Sequence, residues 1–178
     1  MYFFQAEISW GKLLVLYGPD GLQALKILED NHRKKDIEFF LEGRLEKTWP
    51  ELLLNLKNYF NGIHQVDFAK FPVSLVGCSA YTVKVLGFIR NIPYGRVYSY
   101  SGVARKIGFS SAASRPLGKA LGKNPLPVII PCHRVVKKDG SAGGFSLGID
   151  RKINLLELEG VKISNLKGRI SDEIFICR

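Results

Sequence analysis

The basic residues of this 178-residue chain lie mostly in its C-terminal part. Residues 1–75 carry 9 Lys and Arg against 10 Asp and Glu, a net charge of −1, whereas residues 76–178 carry 17 against 6, a net charge of +11. Such an asymmetry is typical of a neutral domain joined to one that meets a polyanion, most often nucleic acid. We therefore predict domains at 1–75 and 76–165, followed by a tail at 166–178. A solvated basic surface with no partner is the alternative.

The composition predicts a globular protein that does not cross a membrane. Apolar residues make up 46% of the chain, which is enough material for packed cores. No stretch approaches the roughly 20 consecutive apolar residues of a membrane span. The opening MYFFQAEISW lacks the basic start and the cleavage site of a secretory signal. We expect an intracellular, cytoplasmic protein.

The cysteine count argues against disulfides and metal clusters. Cys78, Cys132 and Cys177 are three in number and widely spaced, which predicts free thiols. Zinc needs about four converging ligands, and residues 1–77 hold no cysteine and two histidines. We expect no metal site.

The N-terminal part reads as a small α/β unit. Residues 2–8 and 11–17 read as two short strands around Trp10 and Gly11, and residues 22–28 suit either a third strand or a helix. Helical spacing of apolar residues predicts a helix at 51–62, which ends at an Asn-Gly pair. Residues 64–77 have little periodicity and predict an extended connector.

The C-terminal part begins with three predicted helices. The first places Val83, Leu86 and Ile89 on one apolar face. The segments VYSYSGVARKIG and AASRPLGKALGKN, joined by a short turn, predict two short helices of a helix-turn-helix. An ordinary helical hairpin shares this pattern. Pro116 fits the second helix only within its first turn.

The remaining segments predict a β-wing and a closing helix. In PLPVIIP, residues 125–131, the three β-branched residues predict a short buried strand between prolines. RVVKKDGSAGGFSLG predicts a strand, a turn and a glycine-rich return. DRKINLLELEG predicts a helix with Asp150 as its N-cap and with Ile153 and Leu156 inward. The fold class is therefore an α/β domain followed by a mostly α, winged helix-turn-helix domain.

Cys132 and His133 follow Pro131 directly and are candidates for nucleophilic chemistry. A thiol attacks as its thiolate, so some group must take the proton. Neighbouring residues of a strand point to opposite faces, so His133 can reach Cys132 directly only if the strand ends here, which Pro131 favours. Cys132 would then lie at a turn or helix start, where backbone N–H groups favour an anion, and His133 would reach it directly or through a water. A buried cysteine beside a chance histidine is the alternative.

Two further residues complete this candidate chemistry. A carboxylate on the far nitrogen of His133 raises its basicity, and Glu159 is the preferred candidate with Glu157 as its rival. A thiolate on a DNA-binding surface indicates a reaction on a base taken out of the stack. Arg115 suits the role of filling the gap that such a base leaves in the stack. An ordinary phosphate contact by this arginine is the alternative.

The segments IPYGRVYSY, RPLGKALGKNPLPVIIPCHRVV and GGFSLGIDRKINLLELEG resemble the O6-alkylguanine-DNA alkyltransferases, also called methylated-DNA–protein-cysteine methyltransferases. PCHRV is the active-site signature of that family, and the resemblance runs from about Gly77 to Gly160. It implies a ribonuclease-H-like N-terminal domain and no cofactor. It also implies a monomer whose partner is double-stranded DNA with alkylated bases, bound through the minor groove.

The resemblance implies a reaction and a set of site residues. Cys132 takes the alkyl group from O6 of a flipped guanine, or from O4 of thymine, and the irreversible thioether allows one reaction per molecule. The implied catalytic residues are Cys132, His133 acting through water, Glu159 orienting it, and Asn124 bracing the turn. The implied pocket residues are Tyr100, Val135, Phe145 and Ser146. The implied DNA contacts are Thr82, Tyr100, Ser101, Ser111, Arg115 and, on the wing, Lys138.

Two other functions compete with this hypothesis. A non-catalytic binder of alkylated DNA that recruits repair factors needs no thiol, whereas Cys132 is present. A cysteine hydrolase needs turnover and an oxyanion hole, and the basic C-terminal part argues against it.

Overall fold

A computed structural model describes residues 1–28, 45–63, 66–110, 113–164 and 169–177. The chain divides into two compact units, Met1–Val76 and Gly77–Arg178. The division lies one residue from the boundary predicted by the change in charge. Among the described residues, no helix is long and apolar enough to cross a membrane.

The first unit is a four-stranded sheet with one helix. Its sheet order is β3-β2-β1-β4, in which β1 to β3 are antiparallel neighbours and β4 runs parallel to β1. The segment that suited a strand or a helix is a strand, because it pairs along its length with β2. The elements are β1 (Tyr2–Ile8), β2 (Gly11–Gly18), β3 (Gly21–Leu28), β4 (Leu45–Glu46) and α1 (Pro50–Phe60).

The second unit is mostly helical, with short strands. Between α4 and β6 a single 3-10 turn, Cys132–Arg134, interrupts the irregular chain. The elements are α2 (Ala80–Ile89), β5 (Val97–Ser99), α3 (Tyr100–Lys106), α4 (Ser114–Gly122), β6 (Val135–Val136), α5 (Ile149–Leu158), β7 (Ile163–Ser164), β8 (Arg169–Ile170) and β9 (Phe175–Cys177).

The predicted apolar face of α2 was partly wrong. Leu86 and Ile89 are buried as expected, but Val83 is 41% exposed and Val85 is buried in its place. Residues 85, 86 and 89 keep the three- and four-residue spacing of one helical face. The register of that face therefore differs by a fraction of a turn from the prediction.

The two short helices of the predicted helix-turn-helix are present as α3 and α4. Ser99 caps α3, because its Oγ accepts a hydrogen bond from the backbone N–H of Gly102 at 2.9 Å. Leu117 and Leu121 of α4 are buried. Pro116 lies in the first turn of α4, where no intrahelical N–H is needed, as the sequence required.

The strand predicted between the prolines of residues 125–131 was wrong, although its burial was right. Val128, Ile129 and Ile130 are buried, but Val128 has φ = 74°, which no strand residue adopts. The backbone N–H of Ile130 donates to the carbonyl of Leu126 at 2.8 Å. The segment is therefore a buried turn that reverses the chain and delivers Cys132.

The segment between β6 and α5 contains a glycine-rich loop, residues 137–144. Its turn is closed by a hydrogen bond from the backbone N–H of Lys137 to the carbonyl of Ser141 at 2.9 Å. Asp150 is not the N-cap of α5 as predicted: Gly148 occupies that position and Asp150 lies in the first turn. There its negative charge still interacts favourably with the positive end of the helix dipole.

The predicted tail contributes to the second unit. β9 pairs parallel with β5 and gives a sheet of order β6-β5-β9. β7 and β8 form an antiparallel pair of their own. Ile170 of β8 is buried in a cluster with Val97 and Leu156. The C-terminal segment therefore packs against the core rather than trailing from it.

Candidate active site

Cys132 begins the 3-10 turn that follows Pro131. Its side chain is 4% exposed. The backbone N–H groups of Cys132 and His133 point at its sulfur. Cys132 therefore lies at a helix start, as expected, although the segment before it is a turn and not the predicted strand.

Asn124 braces this turn from the end of α4. Its Nδ2 donates to the sulfur of Cys132 at 3.0 Å and to the carbonyl of Ile130 at 2.8 Å. Its Oδ1 accepts from the backbone N–H of Leu126 at 3.0 Å. One buried amide therefore closes residues 124–132 into a fixed loop, which agrees with the bracing role that the resemblance implied, and it also places a donor on the sulfur.

The electrostatics of the thiol are a balance of opposed effects. Burial raises the pKa of Cys132 above its ordinary value, because a thiolate loses hydration. The Asn124 donor, the charge of Lys152 and the two backbone N–H groups all lower that pKa in part. The site therefore keeps the sulfur protonated at rest and holds four stabilising groups ready for the anion.

Glu159 is the carboxylate that meets His133. The Nε2 atom of His133 lies 2.8 Å from Oε1 of Glu159, and both side chains are fully buried. Glu157, the rival candidate, is exposed. The hydrogen bond fixes the imidazole ring and selects the tautomer with its proton on Nε2.

Arg134 holds the same carboxylate from the other side. Its Nε and Nη2 atoms donate to the two oxygens of Glu159 at 2.8 Å each, and Nη1 donates to the carbonyl of Ile92. Burial alone would raise the pKa of Glu159, but His133 and Arg134 outweigh it and hold that pKa well below its usual range. Burial lowers the pKa of His133. We assign an ionised Glu159 and a neutral His133.

Lys152 is a functional candidate that the sequence reasoning missed. It is fully buried, and its Nζ donates to the carbonyls of Val135, at 2.5 Å, and Gly144, at 3.3 Å. Burial lowers its pKa to about 8, against a smaller opposing effect of Cys132. A signal existed in the sequence, because residues 152, 155, 156 and 159 share one helical face.

A cavity of about 570 Å³ gives Cys132 a path to the surface. Its wall includes exposed side chains, so the sulfur is nearly covered without being sealed in the interior. The predicted site residues that line it are Tyr100, Ser101, Arg115, Cys132, Lys138, Phe145 and Ser146. The structure thus brings together residues from α3, α4, the 3-10 turn and the glycine-rich loop.

Tyr100 packs against the glycine-rich loop inside this cavity. Its hydroxyl donates to the carbonyl of Gly144 at 3.3 Å. Burial, and then the nearby Cys132, raise the pKa of Tyr100, which keeps it a proton donor at neutral pH. Gly143 has φ = 72°, and a Cβ there would lie 3.1 Å from the ring of Tyr100. A side chain at position 143 would therefore displace this tyrosine.

Of the predicted pocket and DNA-contact residues, two are not among those that line the cavity in the part of the chain that the structure describes, and a third lies outside the described residues. Thr82 is 2% exposed and its Oγ1 lies 3.0 Å from the Oγ of Ser79, so burial within the cap of α2 corrects its predicted DNA contact. Val135 is buried on β6 and is not among the cavity-lining residues in the described part of the chain. Ser111 lies outside the described residues.

The cavity is rimmed by positive charge. Arg115 of α4 and Lys137 and Lys138 of the glycine-rich loop are exposed and contribute to its wall. A cavity with an apolar interior, a nucleophile at its base and cations around it suits a flat organic group attached to an anionic polymer.

Comparisons with known proteins agree with this geometry. The 6-O-methylguanine DNA methyltransferase DNA binding domain matches residues 80–161. The crystal structure of Mycobacterium tuberculosis OGT in complex with DNA is 29% identical, with a TM-score of 0.74 over 89% of this chain and 92% of that one. Fold and site together define the class of proteins in which a cysteine beside a DNA-binding surface accepts an alkyl group.

Two curated relatives make the assignment specific. A methylated-DNA–protein-cysteine methyltransferase of Methanothermobacter thermautotrophicus is 35% identical over 84% of this chain and 80% of its own length. One of Methanosarcina acetivorans is 30% identical over 90% of this chain and 99% of its own. The chain belongs to the methylated-DNA–protein-cysteine methyltransferase family, which confirms the resemblance seen in the sequence.

Proposed function

We propose that this protein is a DNA repair alkyltransferase that moves an alkyl group from O6 of guanine, or O4 of thymine, to its own Cys132. The observation that carries the proposal is the position of the Cys132 sulfur at the wall of a cavity rimmed by Arg115 and Lys138. The family to which the chain belongs supports it.

The reaction is a displacement at an sp³ carbon. The Cys132 sulfur attacks the methyl carbon, an S–C bond forms and the C–O bond to the base breaks, with its electron pair passing to the base. The thiol proton ends on the base, so that Cys–SH and O6-methylguanine give Cys–S–CH₃ and guanine. The thioether has no route back to a thiol in this site, and each molecule reacts once.

His133 and Tyr100 are proposed to handle the protons. A neutral His133, with Nε2 donating to Glu159, is basic at its other nitrogen and accepts the thiol proton through water. Tyr100 keeps its proton at neutral pH and lies in the cavity, where it donates to the departing base. Lys152 provides the counter-charge that favours the thiolate.

We propose that α3, α4 and the glycine-rich loop form a winged helix-turn-helix that binds the minor groove of duplex DNA. The exposed position of Arg115 in the first turn of α4, at the cavity wall, supports its role in filling the space left by a flipped base. Ser101 and Lys138 are proposed phosphate contacts, since both lie on the same wall.

We propose a ribonuclease-H-like fold for the first unit. It is supported by three antiparallel strands and a fourth strand that runs parallel to β1, in the order β3-β2-β1-β4. We also propose a monomer, as the resemblance seen in the sequence implies. Genomic DNA as the partner agrees with a cytoplasmic location.

The alternatives fit the site less well. A protein that binds alkylated DNA without reacting with it does not require a cysteine in contact with four groups that stabilise its anion. A hydrolase releases product and reacts again. Duplex DNA carrying a radiolabelled O6-methylguanine distinguishes them. The proposal predicts a single burst of label on the protein of at most one equivalent, whereas steady release of label into solution would establish turnover.

Arg115→Ala is expected to slow transfer from duplex DNA at least about tenfold and to slow reaction with free benzylguanine much less, because only the duplex needs its gap filled. Lys119→Ala is the matched control, since it removes one exposed charge from the same helix. The comparison requires single-turnover rates with both substrates. Equal losses with duplex and free base would remove the assigned role of Arg115.

Lys152→Met is expected to slow the reaction with free benzylguanine about tenfold or more at neutral pH. An opposite charge close to a thiol lowers its pKa by about one unit or more, so removing it reduces the thiolate fraction accordingly. The pH dependence of the rate measures this. Above pH 8, where Lys152 itself loses its proton, the difference between wild type and variant should narrow. A constant ratio across the pH range would show that its charge plays no part.

A further inference from the structure

The segment that follows α5 extends the glycine-rich loop by a strand. The backbone N–H of Ile170 donates to the carbonyl of Gly140 at 3.0 Å, and Ser141 forms an antiparallel bridge with Arg169. β7 pairs with β8 on its other side. The domain that matches this chain ends at residue 161, so β8 lies outside the matched region.

Gly140 permits this close approach. It has φ = 83°, and a Cβ at this position would lie 3.1 Å from the carbonyl oxygen of Ile170 and 3.4 Å from its nitrogen. A side chain here would push β8 away from the loop. The Asp-Gly turn therefore reverses the chain after β6 and also leaves room for β8 to approach.

The two residues of β8 point in opposite directions, as strand neighbours do. Ile170 is 3% exposed and packs with Val97 and Val136 in the core of the second unit. Arg169 is exposed. The buried isoleucine thus anchors the strand and fixes the outward position of the arginine beside the loop.

Arg169 joins a local excess of positive charge. Lys137, Lys138 and Arg169 are exposed at the loop, against one carboxylate, Asp139, which accepts hydrogen bonds from the backbone N–H and the hydroxyl of Ser141 at 2.9 and 2.7 Å. These hydrogen bonds, and then the charges of Lys137 and Arg169, lower the pKa of Asp139. Two of the three cations, Lys137 and Arg169, therefore lie close enough to Asp139 to act on its charge, and the three outnumber this one carboxylate of residues 137–144.

We propose that β8 widens the DNA-binding surface of this protein and that Arg169 binds a backbone phosphate of the duplex beside the lesion. The inference rests on the proposed function, because duplex DNA is the partner it assumes. Arg169 adjoins the glycine-rich loop through its bridge with Ser141, and Lys137 and Lys138 of that loop line the cavity of Cys132. A guanidinium suits the ligand because its planar donors match phosphate oxygens.

The test is binding of a fluorescent, undamaged mixed-sequence duplex, measured by anisotropy across a range of salt concentrations. Arg169→Ala is expected to weaken binding severalfold at about 0.1 M salt and to reduce the slope of log K against log salt by about 0.9, the value for one lost phosphate contact. Arg169→Lys keeps the charge and should restore most of the slope. Lys57→Ala, on an exposed position of α1, should change neither quantity.

Thermal unfolding midpoints near that of the wild type establish that the variants are folded. An unchanged slope in Arg169→Ala would overturn the inference, and so would an equal loss in Lys57→Ala or in Arg169→Lys. Methyl transfer by the wild-type protein separates the two proposals. Normal transfer with no effect of Arg169→Ala contradicts the inference alone, whereas the expected binding changes without transfer contradict the proposed function alone.

Discussion

Cys132→Ala is expected to abolish methyl transfer from O6-methylguanine in DNA and to leave binding of the duplex intact. The sulfur is the atom that forms the new bond, and Cys132 is the one thiol among the described residues that line the cavity. Cys132→Ser should be equally inactive, because a hydroxyl at this position ionises far less readily than a thiol. Label retained by the protein after denaturation measures the transfer.

Cys78→Ala and Cys177→Ala are the matched controls for this loss. Neither residue forms a disulfide, and neither is among the residues that line the cavity in the described part of the chain. Each variant should accept as much label as the wild-type protein. The loss in Cys132→Ala should not come from unfolding, since deleting one sulfur atom costs on the order of 1 kcal/mol. Residual label on Cys132→Ala at the wild-type level would contradict the assignment.

Glu159→Ala is expected to cost roughly 3–5 kcal/mol of folding stability, because it leaves the buried Arg134 without its partner. It should also slow transfer at least about tenfold, since His133 loses the contact that orients it. Glu157→Gln, at an exposed position of the same helix, is the control and should change neither quantity. Denaturant unfolding and single-turnover rates provide the two measurements.

The same cluster gives the protein a pH-dependent stability. The pKa values of His133 and Glu159 are both lower in the folded protein than their ordinary values of 6.5 and 4.5. The unfolded chain therefore takes up these protons at a higher pH than the folded protein does. Stability is lost progressively as the pH falls below 6.5, for His133, and below 4.5, for Glu159, toward the lower folded-state pKa values. Glu159→Gln removes the contribution of this carboxylate, so the stability of the variant should fall less steeply than that of the wild type as the pH decreases. Parallel curves for the two proteins would show that Glu159 is not held as an anion.

Local signals in the sequence predicted much of the site. The expectation of Cys132 at a turn or helix start agrees with the 3-10 turn that it begins, although the segment between the prolines is a turn and not the predicted strand. Glu159 and not Glu157 contacts His133, as predicted, because the end of α5 directs residue 159 toward the core. Pro116 fits because only the first turn of a helix tolerates a proline.

Other features depended on tertiary packing. Val128 is β-branched and predicted to be extended, but the bond between Asn124 and Ile130 closes a turn in which Val128 takes a positive φ. A lysine is ordinarily a surface residue, so the sequence pattern does not predict Lys152 in the core, but two backbone carbonyls accept hydrogen bonds from its buried ammonium. Thr82 was expected at a surface, but it is buried within a helix cap. Each of these outcomes depends on partners distant in sequence or on burial that composition alone does not reveal.

Peptide mapping by mass spectrometry after reaction with methylated duplex DNA tests the central claim most directly. It identifies which of the three cysteines carries the added methyl group and how many groups each molecule accepts. The account predicts one methyl group per molecule, on the peptide that contains Cys132. A methyl group on Cys78 or Cys177, or an unmodified protein in a reaction that has consumed the lesion, would contradict it.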